Sequence, residues 1–398
     1  MKELQDILKT FEQIKRSRAK AALATVVKTR GSVYRRPGAR MLITEAGQMV
    51  GAISGGCLES DIVERAQPLM LHNGEPIIIE YDTNDSNELV WGLGMGCNGT
   101  VQVLIESLHC DSAQSQLEFI AECFRYHQPG VIATVFDIKG EVASNIASTL
   151  YLHSNGTMTS KIRDRQLMAC LQEDAYRVLT EGKTRVISYS LDKGAADVLI
   201  EVIRPPIPLL VFGAGYDAVP VVQLAKQMGW HVTVVDRRTA YATRDRFPHA
   251  DEIIICHPEE LLTKLNLNSQ MVAVVLTHNY LSDTALLQTL LPSPIRYLGL
   301  LGPKRRTQKL LEDLHTEGFI PSEHQLLRLF APVGLDIGAE TAEEIALSIV
   351  AEIQAVLAQR SGNHLRERPG FIHGDTLRVR GLPTAGNPPS APVSSNYV

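Results

Sequence analysis

Apolar positions follow two different rhythms along this chain. Up to about residue 204 they come as short clustered runs. After an N-terminal helical stretch, KAALATVVKT, GARMLIT and GQMVGAIS follow one another with no helical spacing between them, and they predict three strands. A helix is expected from Cys57 to about Leu71, then strands over PIIIEYD and TVQVLIES. A second helix is expected from about Ser112 to Tyr126, then a strand over GVIATVFDI. TRVISYSL and ADVLIEVI read as an antiparallel pair. Strands that cluster in this way predict an α+β layer fold. No internal repeat at a solenoid period is visible.

Beyond residue 205 the rhythm changes to strict alternation. The change follows IRPPIPLLVFGAG, where Pro205, Pro206 and Pro208 remove amide donors and hold the chain extended. The strands PLLVFGAG, HVTVVD, EIIIC, MVAVVLTHN and YLGLLG then alternate with helical segments. A last helix opens at TAEE, a capping box between Thr341 and Glu344. This pattern predicts an α/β, doubly wound parallel sheet of the Rossmann kind. The domain boundaries expected are 1–204 and 205–362. Residues 363–398, rich in Pro, Ser, Gly and Asn, are expected to be a disordered tail.

Composition narrows the classes of function. Of 398 residues, 44% are hydrophobic and 21% charged, with a net charge of -5, and no extended basic stretch suggests a nucleic-acid partner. No apolar run reaches the roughly 18 to 20 residues of a membrane span. The N-terminal MKELQDILKTFEQIKRSRAK reads as an amphipathic helix and not a signal peptide. Cysteines at 57, 97, 110, 123, 170 and 256 form no CxxC pair, which fits a reducing cytoplasm.

Candidate chemistry lies in both domains. In VFGAGYDAVPVV, Gly213, Gly215 and Ala218 occupy the positions of a dinucleotide-binding turn between strand and helix. Asp236 ends the next strand, where a carboxylate is placed to bond ribose hydroxyls. The alternative is a Rossmann turn that binds nothing. His278, Arg305 and Arg306 are expected near the same sheet edge, either on one anionic ligand or as a solvated first turn. In the first domain, Gly55 and Gly56 precede Cys57 and predict an amide nest at a helix N-terminus. Cys97 stands among Gly92, Gly94, Gly96 and Gly99. Each thiol is either a favoured thiolate or a small buried hydrophobe. Arg30, Arg35, Arg36 and Arg40 suit a phosphate or carboxylate, with Arg36 and Arg40 the chosen anion contacts. There is no G-x-S-x-G, H-E-x-x-H or Walker loop.

Taken together, GSVYRRPGARMLIT, GAISGGCLESD, WGLGMGCNG, VFGAGYDAVPVV, VVDRR, LTHN, YLGLLGPKRR and APVGLDIGAETAEEIALSI resemble the XdhC/CoxI family, over about residues 1 to 360. These are accessory proteins for maturation of xanthine dehydrogenase and related molybdenum hydroxylases. The resemblance implies a CoxI-like N-terminal domain and a Rossmann C-terminal domain. It also implies a chaperone that binds molybdenum cofactor transiently, supports its sulfuration with a cysteine desulfurase, and delivers it to an apoenzyme. Cys57 or Cys97 would then face molybdenum. Family members often carry His where Tyr216 stands here, so a role for that imidazole does not carry over.

Two other readings compete. One is an NAD(P)-dependent oxidoreductase with Cys57 as a redox thiol. The other is a regulatory protein whose Rossmann domain senses a nucleotide. A homodimer is compatible with all three. No membrane or nucleic acid enters any of them.

Overall fold

The structure, a computed structural model, describes residues 1–72, 74–82, 99–109, 111–368 and 377–380. Cys97 and the glycines 92, 94 and 96 therefore lie outside the described residues, as does Cys110. The chain divides into two compact units. One comprises Asp6–Pro205 with His373–Val398; the other comprises Pro206–Ile372 with Met1–Gln5.

The first unit is built twice. Helix α1 (Lys2–Ser17) leads into β1 (Ala21–Gly31), β2 (Arg40–Thr44), β3 (Met49–Gly51), α2 (Glu59–His72), β4 (Ile77–Asp82) and β5 (Gly99–Ser107). The series then recurs: α3 (Asp111–Arg125), β6 (Gly130–Gly140), β7 (Thr149–His153), β8 (Met158–Ser160), α4 (Arg165–Glu181), β9 (Arg185–Leu191) and β10 (Gly194–Ile203). The two sheets run β3-β2-β1-β5-β4 and β8-β7-β6-β10-β9.

The correspondence holds residue by residue at a spacing of 109, from Lys2 to Asp111, Ala21 to Gly130, Arg40 to Thr149 and Met49 to Met158. Arg18 and His127 both have positive φ, at 55° and 50°. β1 bulges at Val27 and β6 at Phe136. Val26 N donates to Ala39 O at 2.9 Å, and Val135 N donates to Ser148 O at 3.0 Å. At the last strand the spacing drops to 95, from Gly99 to Gly194, because residues 83–98 join β4 to β5 where a tight turn joins β9 to β10.

Packing follows the same duplication. Ala22, Ala24, Val26, Met41 and Ile43 meet Ile62, Ala66 and Leu69 of α2. Their mates Val131, Ala133, Val135, Leu150 and Leu152 meet Leu167, Leu171 and Ala175 of α4. The opposite faces of the two sheets share a third cluster. Val27 and Leu104 of one lie with Phe136 and Leu199 of the other, so the bulged residues serve the joint. The result is an α+β sandwich with helices outside two antiparallel sheets.

The second unit is a Rossmann domain. Its strands are β11 (Pro208–Phe212), β12 (His231–Asp236), β13 (Glu252–Ile255), β14 (Val272–Val275), β15 (Tyr297–Leu300) and β16 (Leu329–Phe330). They pair in parallel in the order β13-β12-β11-β14-β15-β16. The helices are α5 (Ala218–Gln227), the short α6 (Leu261–Lys264), α7 (Tyr280–Leu290), α8 (Lys304–Thr316), the short α9 (Glu323–Leu326) and α10 (Ala342–Leu357). α10 opens with the expected capping box, Glu344 N donating to Thr341 Oγ1 at 3.3 Å. The sheet reverses direction of winding between β11 and β14, which opens a crevice at their carboxyl ends.

The sequence reading gave no elements where α9 and β16 stand in the second unit, and two further features depart from it in the first. α4, β7 and β8 fill a stretch for which it gave no elements. A last strand, β17 (Leu377–Arg380), runs parallel to β9 and lies inside the stretch expected to lack structure.

Candidate functional site

The crevice holds a cavity of about 250 Å³. Gly213 and Asp236 line it with Arg237, Arg238, His278 and Asn279, above an apolar floor that includes Val235, Pro258 and Leu261. Gly213 is required here. Its φ is 108°, and a Cβ would overlap the carbonyl of Leu276 at the end of β14. Gly215 differs: a Cβ there meets side chains and no backbone, Asp217 Oδ1 at 2.5 Å and His278 Cδ2 at 4.0 Å.

Asp236 departs from the role expected of it. Its Oδ1 accepts from Arg238 N at 2.8 Å and Arg238 Nε at 3.0 Å. Its Oδ2 accepts from Ala214 N at 2.6 Å and Arg238 Nη2 at 2.7 Å. Four donors fill the roughly four acceptor positions of a carboxylate, so none remains for a ribose hydroxyl. Burial alone would raise this carboxyl, but the Arg238 guanidinium and the two backbone amides hold it below its ordinary range. Arg238 also lies 4.2 Å from the centroid of the Tyr241 ring. Arg246 braces the glycine turn by donating to Ala214 O at 2.7 Å.

His278 sits at the far side of the turn in the left-handed region, at φ 54°. Its Nε2 donates to Asp217 Oδ2 at 2.8 Å. It also lines a second, open cavity of about 540 Å³ with Gly302, Pro303 and Arg306. Arg306 is held by buried Asp283, at 2.6 Å. Arg305 is exposed on the first turn of α8 and lines neither cavity. The structure thus brings Gly213, Asp236 and His278 together, and Arg306 in place of Arg305. Arg238, Asp217 and Arg246 were missed by the sequence reading. The signal for Arg238 was its place two residues after Asp236, at the edge of the turn.

In the first unit the glycine turn before α2 corrects the expected anion nest. Ser54 N donates to Glu59 Oε1 at 2.8 Å, and Leu58 N to Glu59 Oε2 at 3.1 Å. Gly56 N donates to Ser54 Oγ at 3.1 Å, while Ser54 Oγ itself donates to Glu59. The Ser54 and Leu58 amides therefore hold the chain's own carboxylate, and the Gly56 amide holds the Ser54 hydroxyl. Burial pushes that carboxyl up, but the Ser54 hydroxyl and the amides bring it below its ordinary range. Cys57 is half-buried beside the turn, with Sγ 3.5 Å from Ser54 Oγ.

Arg40 also departs from its expected role. It is 2% exposed, and its two terminal nitrogens donate to Glu201 at 2.8 and 2.7 Å. It is a structural cation that ties β2 to β10, and it has no surface to offer a phosphate. Arg36 remains exposed, as does Arg30. Among the described residues no cluster of three or more His, Cys, Asp or Glu side chains is placed to hold a metal ion. No described helix is long and apolar enough to cross a membrane.

Comparisons with known proteins agree with this architecture. The XdhC Rossmann domain is matched by residues 209–353, and the XdhC and CoxI family by residues 14–82. Over 336 residues the chain is 34% identical to a Bacillus subtilis (strain 168) protein named as a probable xanthine dehydrogenase subunit, covering 84% of this chain and 92% of that protein. It is 24% identical over 337 residues to the molybdenum cofactor insertion chaperone PaoD of Escherichia coli (strain K12), covering 84% and 83%. A crystal structure described as a xanthine dehydrogenase from Bacillus halodurans is similar at a TM-score of 0.71 and 28% identity, over 91% of this chain and 98% of that one. The chain belongs to the XdhC and CoxI family.

Proposed function

We propose that this protein is an accessory chaperone that binds molybdenum cofactor and inserts it into a molybdenum hydroxylase apoenzyme. Similarity to an insertion chaperone along most of both chains supports the role. The observation that carries it is Cys57, a half-buried thiol at a Gly55–Gly56 turn that the duplicated half of the unit does without. A thiol suits a soft metal centre with sulfur ligands, so this residue fits the sulfur end of the cofactor. Exposed Arg36 and Arg30 fit its anionic end in place of Arg40. When bound, the cofactor supplies the molybdenum and dithiolene chemistry that the client enzyme uses. The chain's own residues retain it, shield it from water and release it. Sulfuration in company with a cysteine desulfurase, action in the cytoplasm and assembly as a homodimer belong to the same proposal.

The test is the molybdenum and pterin content of protein purified from a molybdenum-replete host, followed by transfer to a cofactor-free hydroxylase. Stoichiometric cofactor and restored hydroxylase activity are expected. Protein that carries no pterin, yet oxidises NAD(P)H with an acceptor, would replace this reading with the oxidoreductase.

A further inference from the structure

We propose that the Rossmann cavity selects a nucleotide with a phosphate on its ribose, of the adenosine 2′-phosphate kind, over one with a bare ribose diol. This goes beyond the chaperone reading, since it assigns the second unit a ligand of its own.

Three observations lead there. First, the cavity is built for a nucleotide. Gly213 lines it at the tight turn before α5, the place where this fold sets a diphosphate; the Asp217 carboxylate at that helix end is held by His278, which lines the cavity itself. The apolar wall of Val235, near the end of β12, with Pro258 and Leu261 suits a base.

Second, the carboxylate that would take a bare diol has no acceptor capacity left. Both oxygens of Asp236 already receive two hydrogen bonds each. A ribose hydroxyl arriving there would have to displace Arg238, which is held by that carboxylate and by the Tyr241 ring.

Third, the charge at this corner is reversed from what a diol needs. A lone carboxylate repels a phosphate on the ribose, but Arg238 neutralises this one. Arg237 then lines the cavity, exposed, and no carboxylate among the described residues pairs with it. Arg246 adds a third cation on the turn's own carbonyl. An arginine beside the end of the second strand is the general device for a ribose phosphate in this fold.

The experiment is calorimetry on the full-length protein with four probes: NADP, NAD, 2′,5′-ADP and 5′-AMP. NADP is expected to bind roughly tenfold or more tightly than NAD, the scale of one charge-assisted hydrogen bond, with 2′,5′-ADP exceeding 5′-AMP by a similar factor. Arg237→Gln alters an exposed side chain and should lower the ratio of NADP to NAD affinity to about one, the loss falling on NADP. Arg238→Gln should act in the opposite sense on NAD, since it frees Asp236 to accept the diol. The proposal is overturned if NAD binds as well as NADP, if neither binds, or if Arg237→Gln leaves the preference intact. Should Arg238→Gln fail to fold, Arg237→Gln alone decides. Molybdenum and pterin content of the same preparations reads the chaperone proposal separately, so either idea can fail without the other.

Discussion

The two halves of the first unit share a backbone and differ in what they do with it. Both must start a helix after a short third strand. In the second half Asp164 does so simply: its Oδ1 accepts from Leu167 N at 2.9 Å, as an ordinary N-cap. In the first half the same task falls to Ser54, Gly55, Gly56 and Cys57, with Glu59 folded back onto the turn. The second half serves as an internal control. It shows that the fold needs neither two glycines nor a thiol at this place. What the first half keeps beyond the fold's needs is the best guide to its function.

The comparison breaks most severely at Arg40, where the second half has Thr149. Arg40 spans the halves to reach Glu201, with side chains 1% and 10% exposed. Arg40→Thr would leave a carboxylate buried without its partner. Removing one member of such a pair costs about 3–5 kcal/mol. Urea denaturation of the full chain should show that loss in the transition of the first unit. A loss below about 1 kcal/mol would show that Glu201 finds water or another donor, and that the pair does not hold the halves together.

Glu106 and Glu201 are themselves mates across the duplication, and their surroundings differ. Glu201 meets a guanidinium. Glu106 is 0% exposed and meets the neutral donors Ser112 and Gln116. Burial raises Glu106 to about 7, against the hydrogen bonds from Ser112 and Gln116 and the pull of Arg40. An unfolded glutamate titrates near about 4.3. The folded protein therefore keeps a proton that the unfolded chain has lost between those values. Its stabilising effect is full below about pH 4.3 and is lost as pH rises through about 7, at up to about 1.4 kcal/mol per pH unit. Glu106→Gln should flatten that part of the stability–pH curve. An unchanged slope would place the proton elsewhere.

Much of the Rossmann unit was legible because buried parallel strands read as continuous apolar runs, and because Gly213 stands where only glycine fits. The saturation of Asp236 was not legible. It depends on how the Arg238 side chain folds back, which no spacing encodes. The duplication was hidden for a different reason. LATVVKTRG and IATVFDIKG share a pattern, but the period is far beyond a solenoid repeat and shifts after residues 83–98. α4 is announced in the sequence all the same. Leu167, Leu171, Ala175 and Val178 share one buried face, Asp164 precedes it, and Gly182 ends it in the left-handed region. In the glycine turn the residue types were right for an anion nest. The anion proved to be Glu59, two residues past the cysteine, which a helix-start reading would place in the first turn.

The contrast between the two helix starts can be sharpened directly. Asp164→Ala removes one N-cap and should cost about 1 kcal/mol. Glu59 is not a simple counterpart, since it serves Ser54 and Leu58 together. If Asp164→Ala changes stability by less than a few tenths of a kcal/mol, the second half does not rely on the cap, and its value as a control for the first half weakens.

The smallest expected effect on stability is the most informative for function. Cys57→Ser keeps the size of the side chain and a hydrogen-bonding group within reach of Ser54 Oγ. The second half shows that this part of the fold stands without a thiol, so the change should cost about 0.5 kcal/mol or less. What it removes is the soft sulfur. Under the chaperone proposal, the serine variant should melt with the wild type yet purify with little molybdenum and pterin, and fail to restore hydroxylase activity. Alkylation adds a separate measure: bound cofactor should slow the labelling of Cys57 and leave buried Cys123 and Cys256 unaffected. A variant that retains cofactor and activity in full would remove Cys57 from the site and leave the Gly55–Gly56 turn as a local variation of an ordinary helix start.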